Sequence, residues 1–271
     1  MASPRVSEAA LGHRNLIEFG RALTRWASKG ALEESGGAVL CAGGSWLPVV
    51  ANSAYRSDDS LRGLELVARA EAFFATLARG YSVKVRSTGA DDDVRRACEG
   101  AGLEPFGQPV PEMLVRSPLP EHPGVDGVDV RVVVDESGVD DFVRVNAEAY
   151  GTYGMPAEVL PELFDEVRSF LEDPAAHVVV ASREDRPVAT AMTFASDGVA
   201  SLQWVGTLPS ERGVGLGALV TTEATNLAFD YGASSCSLQA SPMGEPIYRA
   251  LGYETLYHYT EFVRWPRPSG R

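Results

Sequence analysis

The chain has 271 residues, 45% of them hydrophobic, with 37 acidic against 24 basic side chains and a formal charge of −13 at pH 7. This length allows one large domain or two ordinary ones, the composition excludes wholesale disorder, and the lack of a basic stripe argues against a nucleic-acid partner. No run approaches the roughly 18 apolar residues of a membrane span, and "MASPRVSEAALGHRN" lacks a basic-then-apolar leader, so no membrane partner and a cytoplasmic location are expected.

Cys41, Cys98 and Cys236 lie far apart, and four scattered histidines show no paired-ligand spacing. Reduced thiols and no metal are expected. In chain order, "AYRSDDSLRGLELVA" leads into an apolar-periodic helix with a single glycine, Gly63. Its Asp58 and Asp59 oppose an incoming phosphate at the helix start. "GYSVKVRSTGADDDVRRACEGAGLE" then reads as strand, acidic turn and helix. Pro118, Pro120 and Pro123 mark residues 118–127 as a linker between residues 1–117 and residues 128–271.

Beyond the linker the pattern predicts a strand over 128–134, a helix over 139–150 and a second helix from Pro156 to about Leu171. Strands "HVVVAS" and "PVATAMTFAS" follow, joined at Glu184 to Arg186, and then "VASLQWVGTL". A turn of three glycines, Gly213, Gly215 and Gly217, opens a helix reaching about Tyr231. Strand "SSCSLQA", short helix "EPIYRAL" and strand "ETLYHYTEFVRW" complete an α/β order with mixed connections. The first half rhymes with this succession at an offset of about 150 residues, longer than the roughly 20 to 50 of short-repeat arrays, which suggests an old duplication.

Glycines let a ligand approach the backbone, and a helix N-terminus presents unpaired N–H groups and positive charge. With Arg212, the turn suits a pyrophosphate. The absence of a following lysine excludes a P-loop. A dinucleotide fingerprint can be matched at Gly213, Gly215 and Ala218, but the next strand ends at Gln239 instead of the acid that such a site wants.

The run "VGTLPSERGVGLGALV" resembles the acetyl-CoA motif of the GNAT N-acetyltransferases, here Arg212, Gly213, Val214, Gly215, Leu216 and Gly217. The order of elements over residues 128–265 matches that family too. The resemblance implies an α/β (α+β) fold of two GNAT-like domains, each a mixed, largely antiparallel twisted sheet flanked by helices, the first degenerate. It further implies acetyl-CoA as co-substrate, with Val205, Gly206 and Thr207 along the pantetheine arm and Arg212 through Ala218 at the pyrophosphate.

The implied chemistry is direct attack of a primary amine on the thioester, the acceptor being a small molecule or a peptide. A catalytically silent acyl-CoA-binding or sensor protein of the same fold is the alternative. By the same resemblance Tyr248 is the general acid toward sulfur, and Tyr150 and Tyr153 line the acceptor cleft. The strand position where many relatives carry a carboxylate is Gln203, assigned here to acceptor binding. Glu148 is one candidate base, a water chain is another and Glu245 a third, with His258 on the last strand a further candidate. Tyr257 and Tyr259 form the other face of the last strand, and Asn52 and Tyr55 are expected near the acceptor if their stretch faces the second half. The first half is expected to wall the acceptor site, to form the surface of a homodimer or to stabilise its partner.

Overall fold

The computed structural model describes residues 8–266, which divide into two compact units. The units do not follow the expected break at 118–127. One comprises residues 8–18, 112–160 and 167–256; the other comprises residues 19–111, 161–166 and 257–266. The reason lies in strand pairing. Each unit takes its closing strand from the other half of the sequence.

In the first unit, strands β6 (Val128–Val132), β7 (Ala176–Arg183), β8 (Arg186–Ser196) and β9 (Val199–Thr207) run antiparallel in sequence order. Strand β10 (Cys236–Gln239) adds parallel to β9, and residues 112–115 of β5 (Glu104–Val115) pair antiparallel with β10. Helix α5 (Glu136–Gly151) begins where the Asp135 carboxylate accepts from Gly138 N–H at 2.9 Å, a side-chain N-cap. Helix α8 (Leu216–Asp230) buries Leu216, Leu219, Val220, Ala224 and Ala228 against Val179, Ala189, Leu202 and Leu238 of the sheet. Each leucine or valine side chain removed from water contributes roughly 1.5–3 kcal/mol, and each alanine less. Tyr231, just past the end of α8, lies 62% exposed, stacked on His177 with centroids 3.9 Å apart. Two short helices, α6 (Val159–Leu163) and α7 (Val167–Leu171), occupy the span expected to form one.

The second unit repeats the theme. Strands β1 (Ala31–Ser35), β2 (Ala38–Ala42) and β3 (Asn52–Arg56) are antiparallel, with the turn α2 (Pro48–Ala51) before β3. Strand β4 (Tyr81–Arg86) lies parallel to β3, and β11 (Glu254–Arg264) closes this sheet through residues 259–264, antiparallel to β4. Helices α3 (Gly63–Thr76) and α4 (Asp92–Gly100) follow β3 and β4. Leu66, Phe74, Tyr81, Val83 and Phe262 form the core, with Phe74 and Tyr81 stacked at 4.9 Å. Strand, turn, helix, parallel strand, helix and strand thus occur twice in the chain. Asn52 and Tyr55 do not stand free for an acceptor: both are buried within this unit, Asn52 donating to the carbonyls of Ser45 and Leu47.

Candidate active site

Strands β9 and β10 pair only from Ala200 to Leu202, opposite Cys236 to Leu238. Beyond that point β9 continues five residues further, to Thr207, along β8 alone. Its other edge therefore offers backbone N–H and C=O groups that an amide-bearing ligand can pair with.

A bulge shapes this edge. The register moves from Thr190↔Gly206 to Met192↔Gln203, so Trp204 and Val205 together oppose Ala191. Trp204 adopts φ +51° at this bulge, a left-handed value uncommon for a bulky residue. Gly206 is required here by close packing: a Cβ would lie 2.4 Å from Asn146 Oδ1. Asn146 on α5 is held by donating to Thr190 Oγ1 at 2.8 Å and to Phe142 O at 3.0 Å.

The strand leads through a 3-10 turn (Pro209–Glu211) into the glycines and α8. Gly215 is the N-cap residue at φ +92° and provides no side-chain cap, so the opening N–H groups of α8 remain available to an anion. The Arg212 guanidinium points elsewhere. It donates to Ala149 O (3.1 Å) and Thr152 Oγ1 (3.1 Å) at the end of α5, and to Thr207 O (3.3 Å).

A cavity of about 420 Å³ joins these features. Val205, Gly206, Thr207, Arg212, Gly213, Gly215, Leu216, Gly217 and Ala218 line it, together with Tyr150, Tyr153 and Tyr248. Val214 is half exposed and outside the lining. Helix α9 (Glu245–Ala250) places Tyr248 in the wall, where Gly244 leaves room for its ring. Burial pushes the Tyr248 phenol above its ordinary pKa, and the neighbouring Tyr153 adds to the shift. The phenol stays protonated at neutral pH, able to donate. Tyr150 packs edge-on to Trp204 at 5.4 Å, and its hydroxyl donates to Val205 O at 3.4 Å.

The expected bases fall elsewhere. Glu148 is exposed and outside the lining, because the buried face of α5 runs through Phe142, Val145, Asn146 and Ala149. Gln203 is also outside it, its amide donating to Ser201 Oγ at 3.1 Å on the same strand. Glu245 is paired with Arg249 along α9. His258 is exposed in the other unit, where Tyr257 and Tyr259 are buried with their hydroxyls 3.0 Å apart. Sequence reasoning missed Met243, Ser241 and Ile247 in the cavity wall. A loop without periodicity offered no signal for the first two.

A family model described as "Acetyltransferase (GNAT) domain" matches residues 121–244. The N-acetyltransferase YjcF of Bacillus subtilis, itself described as uncharacterized, is 30% identical over 126 residues, 46% of this chain and 84% of that relative. Among solved structures, a GCN5-related N-acetyltransferase from Kribbella flavida has a TM-score of 0.70 at 22% identity, covering 95% of this chain and 96% of that one. A tandem GNAT protein from the clavulanic acid biosynthesis pathway has a TM-score of 0.60 at 15% identity, covering 90% and 86%. At these identities the structural likeness speaks for the fold. That fold is an acetyltransferase fold present in tandem. The chain belongs to the GNAT family of N-acetyltransferases.

Proposed function

We propose that the chain transfers an acetyl group from acetyl-CoA to a primary amine by direct attack, using the unit that contains α8. The observation that carries this reading is the continuity of one cavity from an open strand edge to an uncapped helix N-terminus. An extended, amide-bearing arm ending in a diphosphate has that sequence of requirements. The backbone of Val205 to Thr207 would pair with the arm, and the N–H groups from Gly213 to Ala218 would hold the diphosphate.

Tyr248 supplies the acid. As nitrogen bonds to the acetyl carbon it releases a proton to water, and as the carbon–sulfur bond breaks sulfur leaves with the electron pair and takes the phenol proton, which water then restores. A thiolate with a cysteine-like pKa near about 8.5 gains from this donation. The domain that acts is best taken as residues 128–256 with their borrowed strand, working as a cytoplasmic enzyme on a small-molecule or peptide amine.

Calorimetry with acetyl-CoA tests the reading. We expect one site per chain, because the second unit lacks a free turn. Absence of binding would remove the acetyltransferase reading. Binding without acetylation across a broad amine panel would favour the silent acyl-CoA-binding alternative, which the shortage of free carboxylates in the cavity makes worth testing.

A further inference from the structure

Strand β6 is an open edge of its unit. It pairs with β7, and among the described residues no strand lies along its other side. The ladder decides which backbone groups that side presents. Val133, one residue past β6, donates its N–H to Val178 O at 2.9 Å. Residues of an antiparallel strand bond alternately to one side and to the other, so Arg131 and Asp129 direct their backbone groups to β7. Val128, Val130 and Val132 turn theirs to the open side. Val128 N–H is taken by Val125 O at 3.0 Å, whereas those of Val130 and Val132 have no such partner among the described residues.

Exposed edges are commonly protected by charge. Here the two charges are of opposite sign, Asp129 and Arg131, exposed on one face of the strand. Asp129 has no ion partner among the described residues. Arg131 meets Asp141 of α5 at 2.8 Å and keeps 42% of its side chain exposed. On the opposite face Val128 and Val130 pack against the core, and Val132, 40% exposed, extends that apolar face to the end of the strand.

We propose that β6 is a docking edge for a second copy of this chain, the two strands running antiparallel about a two-fold axis at Val130. In that register Val130 opposes its own copy and exchanges two hydrogen bonds with it, and each Val132 N–H donates to Val128 O of the second copy. Val128 and Val132 of opposite copies then cover one another. Asp129 of each copy stands opposite Arg131 of the other. Charge selects this register. Only residues that face outward can bond, so the neighbouring registers are centred on Asp129 or on Arg131, and they set two aspartates or two arginines side by side. The edge strand of the other unit, β1, lacks such a match: centred self-pairing there sets Glu33 against Glu33.

Sedimentation equilibrium of the full chain tests the proposal. At about 10–100 µM, a range suited to a small interface, we expect twice the 29.0 kDa of one chain. Asp129→Arg and Arg131→Asp each turn both attractive pairs into repulsive ones and should weaken dimerisation about a hundredfold. Combining the two substitutions restores both pairs with their signs exchanged, and the dimer should return. That rescue separates a contact between copies from damage to the fold. Val132→Pro removes the two outer bonds at a position whose N–H faces outward, and should give a folded monomer. A wild-type monomer throughout that range would overturn the proposal. So would a dimer indifferent to charge reversal or to Val132→Pro, or a double variant that stays monomeric.

Discussion

Two helix N-termini in this chain follow a strand in the same topological position, and they meet the same physical problem in opposite ways. At α8 the turn carries Gly213, Gly215 and Gly217 and leaves the opening N–H groups without a side-chain cap. At α3 the place of the anion is taken by the protein. Gly63 N–H donates to Asp93 Oδ2 at 2.6 Å, and Asp93 Oδ1 accepts from Arg56 at 2.9 Å. Arg86 grips the buried Asp91 with two hydrogen bonds of 2.7 Å and also bonds Asp59. Arg56 donates to the same Asp91 at 2.5 Å. A helix N-terminus that has lost its ligand can be stabilised by an internal carboxylate, and the same carboxylate then excludes the ligand. The sequence expectation gave this place to Asp58 and Asp59; in the structure the carboxylate at the helix start is that of Asp93. Asp58 accepts from Ser60 N–H within its own turn, and Asp59 serves Arg86.

The sharpest way to break the contrast is to make the first turn resemble the second. Gly215→Glu places a carboxylate at the N-terminus of α8, and we expect acetyl-CoA binding to weaken by more than about a thousandfold, beyond calorimetric detection, through direct competition for the N–H groups. Gly215 sits at φ +92°, where a Cβ would meet Val125 at 3.7 Å and His122 at 4.0 Å, ordinary van der Waals contacts, so the main cost of a substitution is the backbone strain of about 1–2 kcal/mol. Gly215→Ala carries that strain without the charge. Binding retained by the alanine variant and lost by the glutamate variant would assign the effect to the anion. Loss in both would assign it to the loop.

Next in size is the network that seals α3. Asp91→Ala leaves Arg56 and Arg86 buried without their shared partner, and we expect a loss of about 3–5 kcal/mol in the stability of the unit that contains them. Burial raises the Asp91 pKa, but hydrogen bonds from Arg86 and the charges of both arginines outweigh it and hold the carboxyl below its ordinary value. Asp93 is depressed for related reasons, burial opposed by Gly63 N–H and Arg56. Depressed carboxyl pKa values fix the sign of the pH effect. Their contribution is complete above the unfolded value of about 3.9 and is lost as pH falls through the lower folded values. Thermal melts into acid should therefore show the native chain losing stability there, and Asp91→Ala losing less. A variant with unchanged acid sensitivity would place the titration elsewhere.

Tyr248→Phe probes the open site alone. The ring and its packing are kept and only the proton is removed, so kcat should fall about 100-fold while acetyl-CoA affinity stays level. A fall in affinity with kcat preserved would make Tyr248 a wall of the cavity and not its acid.

The contrast between the two turns was partly legible in sequence, because glycines and acidic residues at a helix start are local signals. The element order after residue 128 was legible for the same reason: periodicity and turn residues are read within a few positions of each other. What escaped reading depends on partners far away in the chain. Asp93 caps a helix that begins 30 positions before it. The strand exchange pairs β11 with β4, 175 positions apart at Thr260↔Val85, beyond the reach of any local pattern, and with it went the domain boundary. Gln203 was assigned by its place on the strand before the glycine turn, a position the family resemblance supplied, and the bulge that follows it at Trp204 and Val205 is no local pattern of the sequence. Glu148 was readable after all: Phe142, Val145 and Ala149 define the buried stripe of α5, and Glu148 lies off it.

The smallest expected effect concerns Arg212, where two roles predict different chemistry. As a ligand for phosphate, its charge would matter most, and Arg212→Lys would largely preserve binding. In the structure the guanidinium spans Ala149 O and Thr152 Oγ1 at the end of α5 and Thr207 O ahead of the turn, which makes it a brace between two elements. A cation at a helix C-terminus is favourable, and the planar fork reaches three acceptors in a way a single ammonium cannot. We therefore expect Arg212→Lys and Arg212→Ala to cost similar amounts, about 1–2 kcal/mol of stability and a few-fold in acetyl-CoA affinity. The slope of that affinity against salt should stay unchanged in both, since the brace holds the N–H groups in place without touching the anion. A shallower salt slope in Arg212→Ala, restored by lysine, would return Arg212 to the phosphate.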